Sequence, residues 1–423
     1  MRPACILLST AILVMTPPPG IAQESGDGSL DEAVTGAVPR RTIAAEEDPY
    51  APLGVRVGGY VLYPSLTGTV GYVGNTAGVG GGTASGYAAV GSRFEIRSDW
   101  AEHEATMTLD SALRRYFDGT TADDPTLALD ATGRLDLDDG WSAGFRGGYA
   151  YQTQAISDPD FPAGVDRPPG VHALSASASL TGGNGPATAI LEGSLLRTIY
   201  EDGSSGGIAV DQGDRTNTVV AARLRLGYEA GAALTPFVAG EVSRRQYDQT
   251  VDNDGLLRSG YGYAARAGIT VDRGPILTGE AAVGYARATF DDPVLASLAS
   301  FIADGSLTWS PSVLTTVSLN GATTINPSAD PASSGSVVFD ASVEAEYAWR
   351  RNVTFEASAG VRRERFQGTG QIDTGYEAGL SATWKANRWV YLTGAYARGW
   401  LVSTEAGRGY RSDSVRVELT AQR

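Results

Sequence analysis

The feature that most constrains this chain is a period-2 alternation of polar and apolar side chains that recurs from Leu53 almost to Arg423. Arg93, Glu95 and Arg97 share one parity, and Val90, Phe94 and Ile96 share the other. Thr106, Thr108 and Asp110 alternate with Ala105, Met107 and Leu109, and Thr132, Arg134 and Asp136 with Ala131, Leu135 and Leu137. Arg223 and Arg225 interleave with Ala222, Leu224, Leu226 and Tyr228, and Arg266 and Thr270 with Ala265, Ala267, Ile269 and Val271. Glu344 and Glu346 fall between Val343, Ala345 and Tyr347, and Arg416, Glu418 and Thr420 between Val415, Val417, Leu419 and Ala421. Successive side chains of an extended strand point to opposite faces, so each of these segments carries one polar and one greasy face.

A soluble β-sandwich also alternates, and the connections decide between the two. Long segments rich in Gly, Asp and Ser (Asn75–Gly86, Asp118–Pro125, Ser157–Gly170, Glu201–Asp214, Asp248–Arg258, Asp291–Ala296, Asn326–Gly335, Gln367–Asp373, Glu405–Gly409) take turns with tight reversals. The reversals are Asp138–Gly140, Gly182–Gly185, Asp272–Pro275, Ser310–Ser312, Arg350–Asn352 and Lys385–Asn387. Long loops on one side and short turns on the other mark outer-membrane barrels, whose strands need only about 9–11 residues to cross. The pattern predicts an all-β fold, a closed antiparallel up-and-down transmembrane β-barrel of about 16–18 strands, with long extracellular loops and short periplasmic turns. No apolar run after Ala22 is long enough for a spanning helix.

The first residues read as a secretory signal, Met1–Ala22. Arg2 precedes an apolar run from Ala4 to Met15, followed by Pro17–Pro19 and the small residues Gly20 and Ala22, which suit cleavage before Gln23. Gln23–Pro52 is acidic and aperiodic and reads as a flexible periplasmic leader, leaving 53–423 for the barrel. The single cysteine, Cys5, lies within the signal segment, so thiol chemistry is excluded from the mature chain. The net charge of −15 excludes nucleic acid as a partner, since phosphate binding draws on excess Lys and Arg.

Charges at mid-strand cannot face lipid, so Arg93, Glu95, Arg97, Arg223, Arg225, Arg266, Glu344, Glu346, Glu356 and Arg362 are predicted to line the lumen. Two arrangements are open: opposed charges around a water-filled pore, or ion pairs that plug it. Trp100, Trp141, Trp309, Trp349, Trp384 and Trp389 lie beside the short turns and are predicted to form an aromatic girdle at the periplasmic interface, with Trp400 toward the other rim.

Asp48-Pro49-Tyr50-Ala51-Pro52-Leu53-Gly54-Val55-Arg56-Val57-Gly58-Gly59-Tyr60 and the residues on to Leu66 resemble the opening segment of a family of outer-membrane β-barrel porins from Gram-negative bacteria. Thr35–Arg41 looks like the leader of some members, and Thr308–Thr316 is similar to a hairpin of the family. The resemblance implies an outer-membrane barrel, porin-like, whose members are sometimes associated with surface polysaccharide. Arg423 stands where many such barrels end on an aromatic. The expected function is a passive diffusion channel for small hydrophilic solutes, without catalysis, cofactor or metal. The alternative is a structural or binding barrel associated with polysaccharide secretion or envelope assembly. The expected partners are membrane lipid and lipopolysaccharide, the outer-membrane assembly machinery and the solutes themselves.

Other chemistry has thin support. Of the two histidines, His103 falls at a short turn, and His172, with Asp160 or Asp166, is the one candidate for a hydrolase site at the outer rim. Gly78–Gly82 lacks the Lys-Ser/Thr and helix of a phosphate loop. Asp252-Asn253-Asp254-Gly255 lacks the twelfth-position Glu of a calcium loop. Asp123-Asp124 and Asp291-Asp292 are acidic pairs suited to divalent cations beside lipopolysaccharide.

Overall fold

A computed structural model describes residues 48–423 apart from 162–164, 230, 232 and 328–332. The signal segment Met1–Ala22 and the leader up to Glu47 lie outside the described residues. A three-residue strand, β1 (Val55–Val57), precedes β2 (Tyr60–Val73), β3 (Ser85–Ser98), β4 (Glu104–Tyr116), β5 (Asp124–Asp136), β6 (Ser142–Thr153), β7 (Gly170–Asn184) and β8 (Ala187–Tyr200). A separate hairpin of β9 (Gly203–Ser205) and β10 (Ile208–Val210) follows. The wall then resumes with β11 (Asn217–Tyr228), β12 (Leu234–Tyr247), β13 (Gly260–Asp272), β14 (Leu277–Phe290), β15 (Leu298–Ser312) and β16 (Thr315–Pro327). It ends with β17 (Gly335–Arg350), β18 (Val353–Gln367), β19 (Ile372–Lys385), β20 (Val390–Ser403) and β21 (Tyr410–Gln422).

Each of these long strands pairs antiparallel with the next. The ring closes where β2 meets β21, from Ser65↔Gln422 to Val73↔Ser414, giving a barrel of 18 strands. β1 fills the length of β2 that β21 leaves uncovered, pairing Val55↔Leu62 to Val57↔Tyr60, so that stretch of β2 does not stand as an unpaired edge. Long and short connections alternate around the ring, except that 368–371 between β18 and β19 is no longer than the short turns, and both ends of the described chain lie with the short turns.

Two turns sit elsewhere than the sequence implies. Ser310-Pro311-Ser312 belongs to β15, and the reversal is at Val313–Leu314. Pro311 has no N–H to give the ladder, and the β15–β16 register shifts between Trp309 and Ser312. β7 likewise runs on to Asn184, and the chain turns at 185–186 with Gly185 at φ 62°.

One parity of every strand is greasy and exposed: Leu66, Val70, Leu191, Val283 and Leu380 are 57, 61, 56, 67 and 61% exposed on the outer surface. A soluble protein seldom shows a contiguous apolar patch beyond a few hundred Å². A belt running the whole way round the ring is therefore the face of a chain solvated by lipid. No helix of the described residues is long and apolar enough to cross a membrane. The inward parity buries a cluster of apolar side chains near the long-loop end, where Val73, Tyr87 and Tyr116 pack together and Val171, Leu196, Leu298 and Val338 are buried, and single ones, Val61 and Phe237, nearer the short turns.

Candidate functional site

The inner surface of the barrel carries its charges as a chain of cross-strand partners. Arg223 stands in register with Glu192 of β8 on one side and Glu241 of β12 on the other. Glu241 lies 3.7 Å from Arg266 of β13, whose Nε donates to Asp304 Oδ2 of β15 at 2.8 Å. To reach β15, the Arg266 side chain must cross β14, and Gly284 allows it: a Cβ there would lie 3.0 Å from Arg266 Cγ. Arg225 reaches farther. Its guanidinium lies 3.6 Å over the Phe237 ring, donates to Thr270 Oγ1 at 2.9 Å and pairs with Glu280 of β14 at 2.9 Å. Gly268 makes room for that ring, since a Cβ would come within 2.6 Å of Phe237 Cζ.

On the opposite wall, Arg93 pairs with Asp110 at 3.3 Å, and Glu95 is held between Arg93 and Arg97. Arg362 pairs with Asp340 at 3.2 Å and with Glu364 at 3.8 Å. Glu344, Glu346 and Glu356 form a carboxylate group on β17 and β18, with Glu346 and Glu356 directly opposite in register and Ser381 Oγ donating to Glu356 at 3.4 Å. Charge-assisted pairs are stronger than neutral hydrogen bonds, above all where water is scarce, so the dense belt from β11 to β15 is a rigid part of the wall. The carboxylates of β17 and β18 sit nearer the short-turn end.

Sequence reasoning missed Glu192, Glu241, Glu280 and Asp304, the acidic half of this belt. Their signal was the same parity that singled out the arginines. Asp304 and Glu280 each fall in a run of small residues where a single charge carries little weight.

The long-loop end is narrowed by chain that folds into it. Gln154 leaves β6 buried, and its Nε2 donates to Asp158 Oδ2 at 3.0 Å. Arg215, buried over the Tyr200 ring at 4.1 Å, donates to Gln154 Oε1 at 3.0 Å. From the far side, Arg408 Nη2 donates to the Ser157 carbonyl at 3.4 Å while its Nε pairs with Asp373 at 3.2 Å. Asp158 and Asp160 come near enough to act electrostatically on Glu364 of β18, which stands almost opposite β6 and β7 in the ring. An acidic segment thus crosses the mouth and is pinned on two sides by arginine.

Trp100, Trp141, Trp309, Trp349, Trp384 and Trp389 all lie at the short-turn end, 37–54% exposed. Trp100 packs edge-on against Tyr60 at 5.3 Å, and Trp141 lies over Gly182, where a Cβ would come within 2.2 Å of the ring. Trp400 stacks on Tyr376 at 5.4 Å nearer the long-loop end. Both ring nitrogens of His172 are engaged on the outer face, Nδ1 with Tyr149 Oη at 2.9 Å and Nε2 with Glu201 Oε1 at 3.0 Å. Asp166 accepts instead from Gly206 N–H. His103 Nδ1 accepts the Asp136 N–H at 3.0 Å. Asp252 pairs with Arg258 rather than standing open to a cation, and Asp291 pairs with Arg244. Among the described residues, no group of three or more His, Cys, Asp or Glu is placed to hold a metal ion.

A family model described as Putative beta-barrel porin 2 matches residues 48–423. The chain belongs to that family. As a beta-barrel porin 2 member with a lipid-facing outer surface, it is an outer-membrane β-barrel. Among solved structures, the chain is similar to the ferric enterobactin receptor PfeA of Pseudomonas aeruginosa at 10% identity, covering 86% of this chain and 80% of that one with a TM-score of 0.41. It is similar to the siderophore receptor PirA of Acinetobacter baumannii at 8% identity (86% and 80% covered, TM-score 0.42). It is also similar to the copper transporter OprC at 10% identity (88% and 81% covered, TM-score 0.47). No curated protein matches this chain in sequence.

Proposed function

We propose that this porin-family barrel is a narrow passive diffusion channel for small hydrophilic solutes in the outer membrane of a Gram-negative bacterium, reached after removal of Met1–Ala22. The observation that carries the reading is the inner face: ion pairs within and across strands and hydroxyls from β3 round to β21, with most of the apolar side chains turned outward. A ring of this many strands encloses more space than inward side chains alone fill. The inward segment from Gln154 to Phe161 then sets the size limit at the mouth. The carboxylates of Glu344, Glu346 and Glu356 face a lumen whose other walls present arginine, a transverse field that favours small dipolar or charged solutes over apolar ones. No step in such passage needs catalysis, a cofactor or a bound metal. Lipopolysaccharide meets the outer rim where Arg197 and Arg244 stand beside Asp248 and Asp291.

Swelling of proteoliposomes in sugars of increasing size tests the reading. Swelling is expected to be rapid for the smallest sugars and to fall off steeply with size. Rates equal to protein-free vesicles for every sugar would defeat it.

A further inference from the structure

Neighbouring strands of the wall stay in register along most of their length, with one marked exception. β15 pairs with β14 up to Ala288↔Leu298, and β16 pairs with β17 up to Pro327↔Gly335. Between themselves, β15 and β16 pair only from Gly305↔Gly321 down to Ser312↔Thr315. Residues 298–304 and 322–327 therefore run past one another without a ladder, in the half of the wall nearest the long loops. Unpaired backbone is costly in a wall that faces hydrocarbon, so a closed barrel gains nothing from such a seam.

Side chains replace the ladder where it stops. Thr323 Oγ1 donates to the Ala303 carbonyl and accepts the Ala303 N–H, both at 3.2 Å, and the Thr323 N–H is donated to Asp304 Oδ1 at 3.3 Å. Just beyond, Thr324 Oγ1 and Asn326 Oδ1 are buried without a hydrogen-bond partner. Leu298 and Ile302 of β15 and Val338 of β17 are 1, 3 and 0% exposed on the inner side. Leu298 Cδ1 lies 2.7 Å from the position of a Cβ on Gly335, so this one side chain spans behind the end of β16 and shuts the seam from within. On the outer side, Phe301 is 84% exposed and rests edge-on against Tyr285 at 5.5 Å. The register carries across to β18: Thr323 faces Phe339, which faces Arg363, and Ile325 faces Val337, which faces Arg365. Arg363 and Arg365 are exposed, level with the seam.

We propose that the β15–β16 seam is a lateral gate through which a single-chain anionic amphiphile passes between the lumen and the outer leaflet. The apolar patch of Leu298, Ile302 and Val338 takes the alkyl chain, Thr324 and Asn326 supply the polar contacts that the closed seam leaves unmade, and Arg363 and Arg365 meet the anionic head outside. Opening requires the Thr323 and Asp304 contacts to break and Leu298 to swing, with the hydrogen-bonded lower half of the seam as the hinge. The gate goes beyond the hydrophilic path and does not depend on it.

Because the chain's single cysteine is Cys5, a disulfide between Ala303→Cys and Thr323→Cys can staple the seam without competing thiols. The readout is release of a fluorescent alkyl sulfonate, trapped inside proteoliposomes, to external albumin; its permanent charge keeps it from crossing lipid unaided. Release is expected from the wild-type and reduced double variant and to be lost on oxidation, with sugar swelling of the same vesicles unchanged. Equal release by the oxidised and reduced forms, or release by neither above protein-free vesicles, would overturn the gate. Arg363→Ala with Arg365→Ala is expected to slow release of the sulfonate and leave swelling unaltered, and an unchanged release rate would overturn the anionic assignment.

Discussion

Arg408, on the loop between β20 and β21, donates a hydrogen bond to the carbonyl of Ser157, 251 positions earlier on the loop between β6 and β7. Six strands, β21 and β2–β6, lie between the two loops around the ring. The bond is therefore a chord across the mouth. Loops tied in this way decide what enters, whatever the width of the wall beneath them.

Releasing that chord should widen the mouth. Arg408→Ala removes the contacts to Ser157 and Asp373 and is expected to admit larger sugars in the swelling assay without altering the rate for the smallest. An unchanged size limit would place the segment outside the solute path.

The two faces of β17 offer a test by adjacent substitutions. Val343 is on the lipid side and Ser342 on the lumen side. Val343→Arg places a charge near the middle of the bilayer and is expected to cost roughly 2–4 kcal/mol. Ser342→Arg is expected to be nearly neutral. Urea titration of the barrel folded into vesicles measures both, and equal losses would contradict the assignment of faces.

The wall was legible in the sequence because each strand carries its own evidence: Arg93, Glu95 and Arg97 against Phe94 and Ile96 need no distant partner to be read. Strand number followed from loops that alternate in length. Everything that depends on residues far apart stayed hidden. The reach of Arg266 over Gly284 to Asp304, the chord from Arg408 to Ser157 and the seam closed by Leu298 each join segments whose separation no local pattern records. The turn at Val313–Leu314 was misplaced for a related reason, since Pro311 reads as a reversal and here occupies the irregular end of a strand.

Arg266 is the tightest knot of the inner belt, with a side chain 7% exposed between Asp304 and Glu241. Arg266→Met removes the cation paired with Asp304 and leaves Glu241 facing only Arg223 in register. Breaking a buried pair from one side costs about 3–5 kcal/mol, and a loss of that order is expected in urea unfolding. The charge-reducing double variant Arg266→Met with Asp304→Asn is expected to recover part of it.

The outer rim carries a pH response. The Arg197 guanidinium hydrogen-bonds Asp248 at 2.6 Å, and Arg244 hydrogen-bonds Asp291 at 2.7 Å, and each bond holds its carboxyl below the usual carboxylate range. A carboxyl with a lower pKa folded than unfolded contributes stability that is complete above the unfolded value, about 4, and lost as pH falls through the depressed one. Proteolytic nicking of the long loops is expected to rise in that acid window. In Asp248→Asn and Asp291→Asn, nicking is expected to be raised already at neutral pH and to change less on acidification. A wild-type loop pattern independent of acid would contradict it.

Single-channel recording of the refolded protein in a planar bilayer bears most directly on a closed, polar-lined barrel with a mouth narrowed by its own loop. Small, discrete steps are expected from the wild-type chain, and larger steps when residues 155–168 are replaced by a short Gly/Ser linker. A flat trace from both proteins, with folding shown in the same sample, would contradict it.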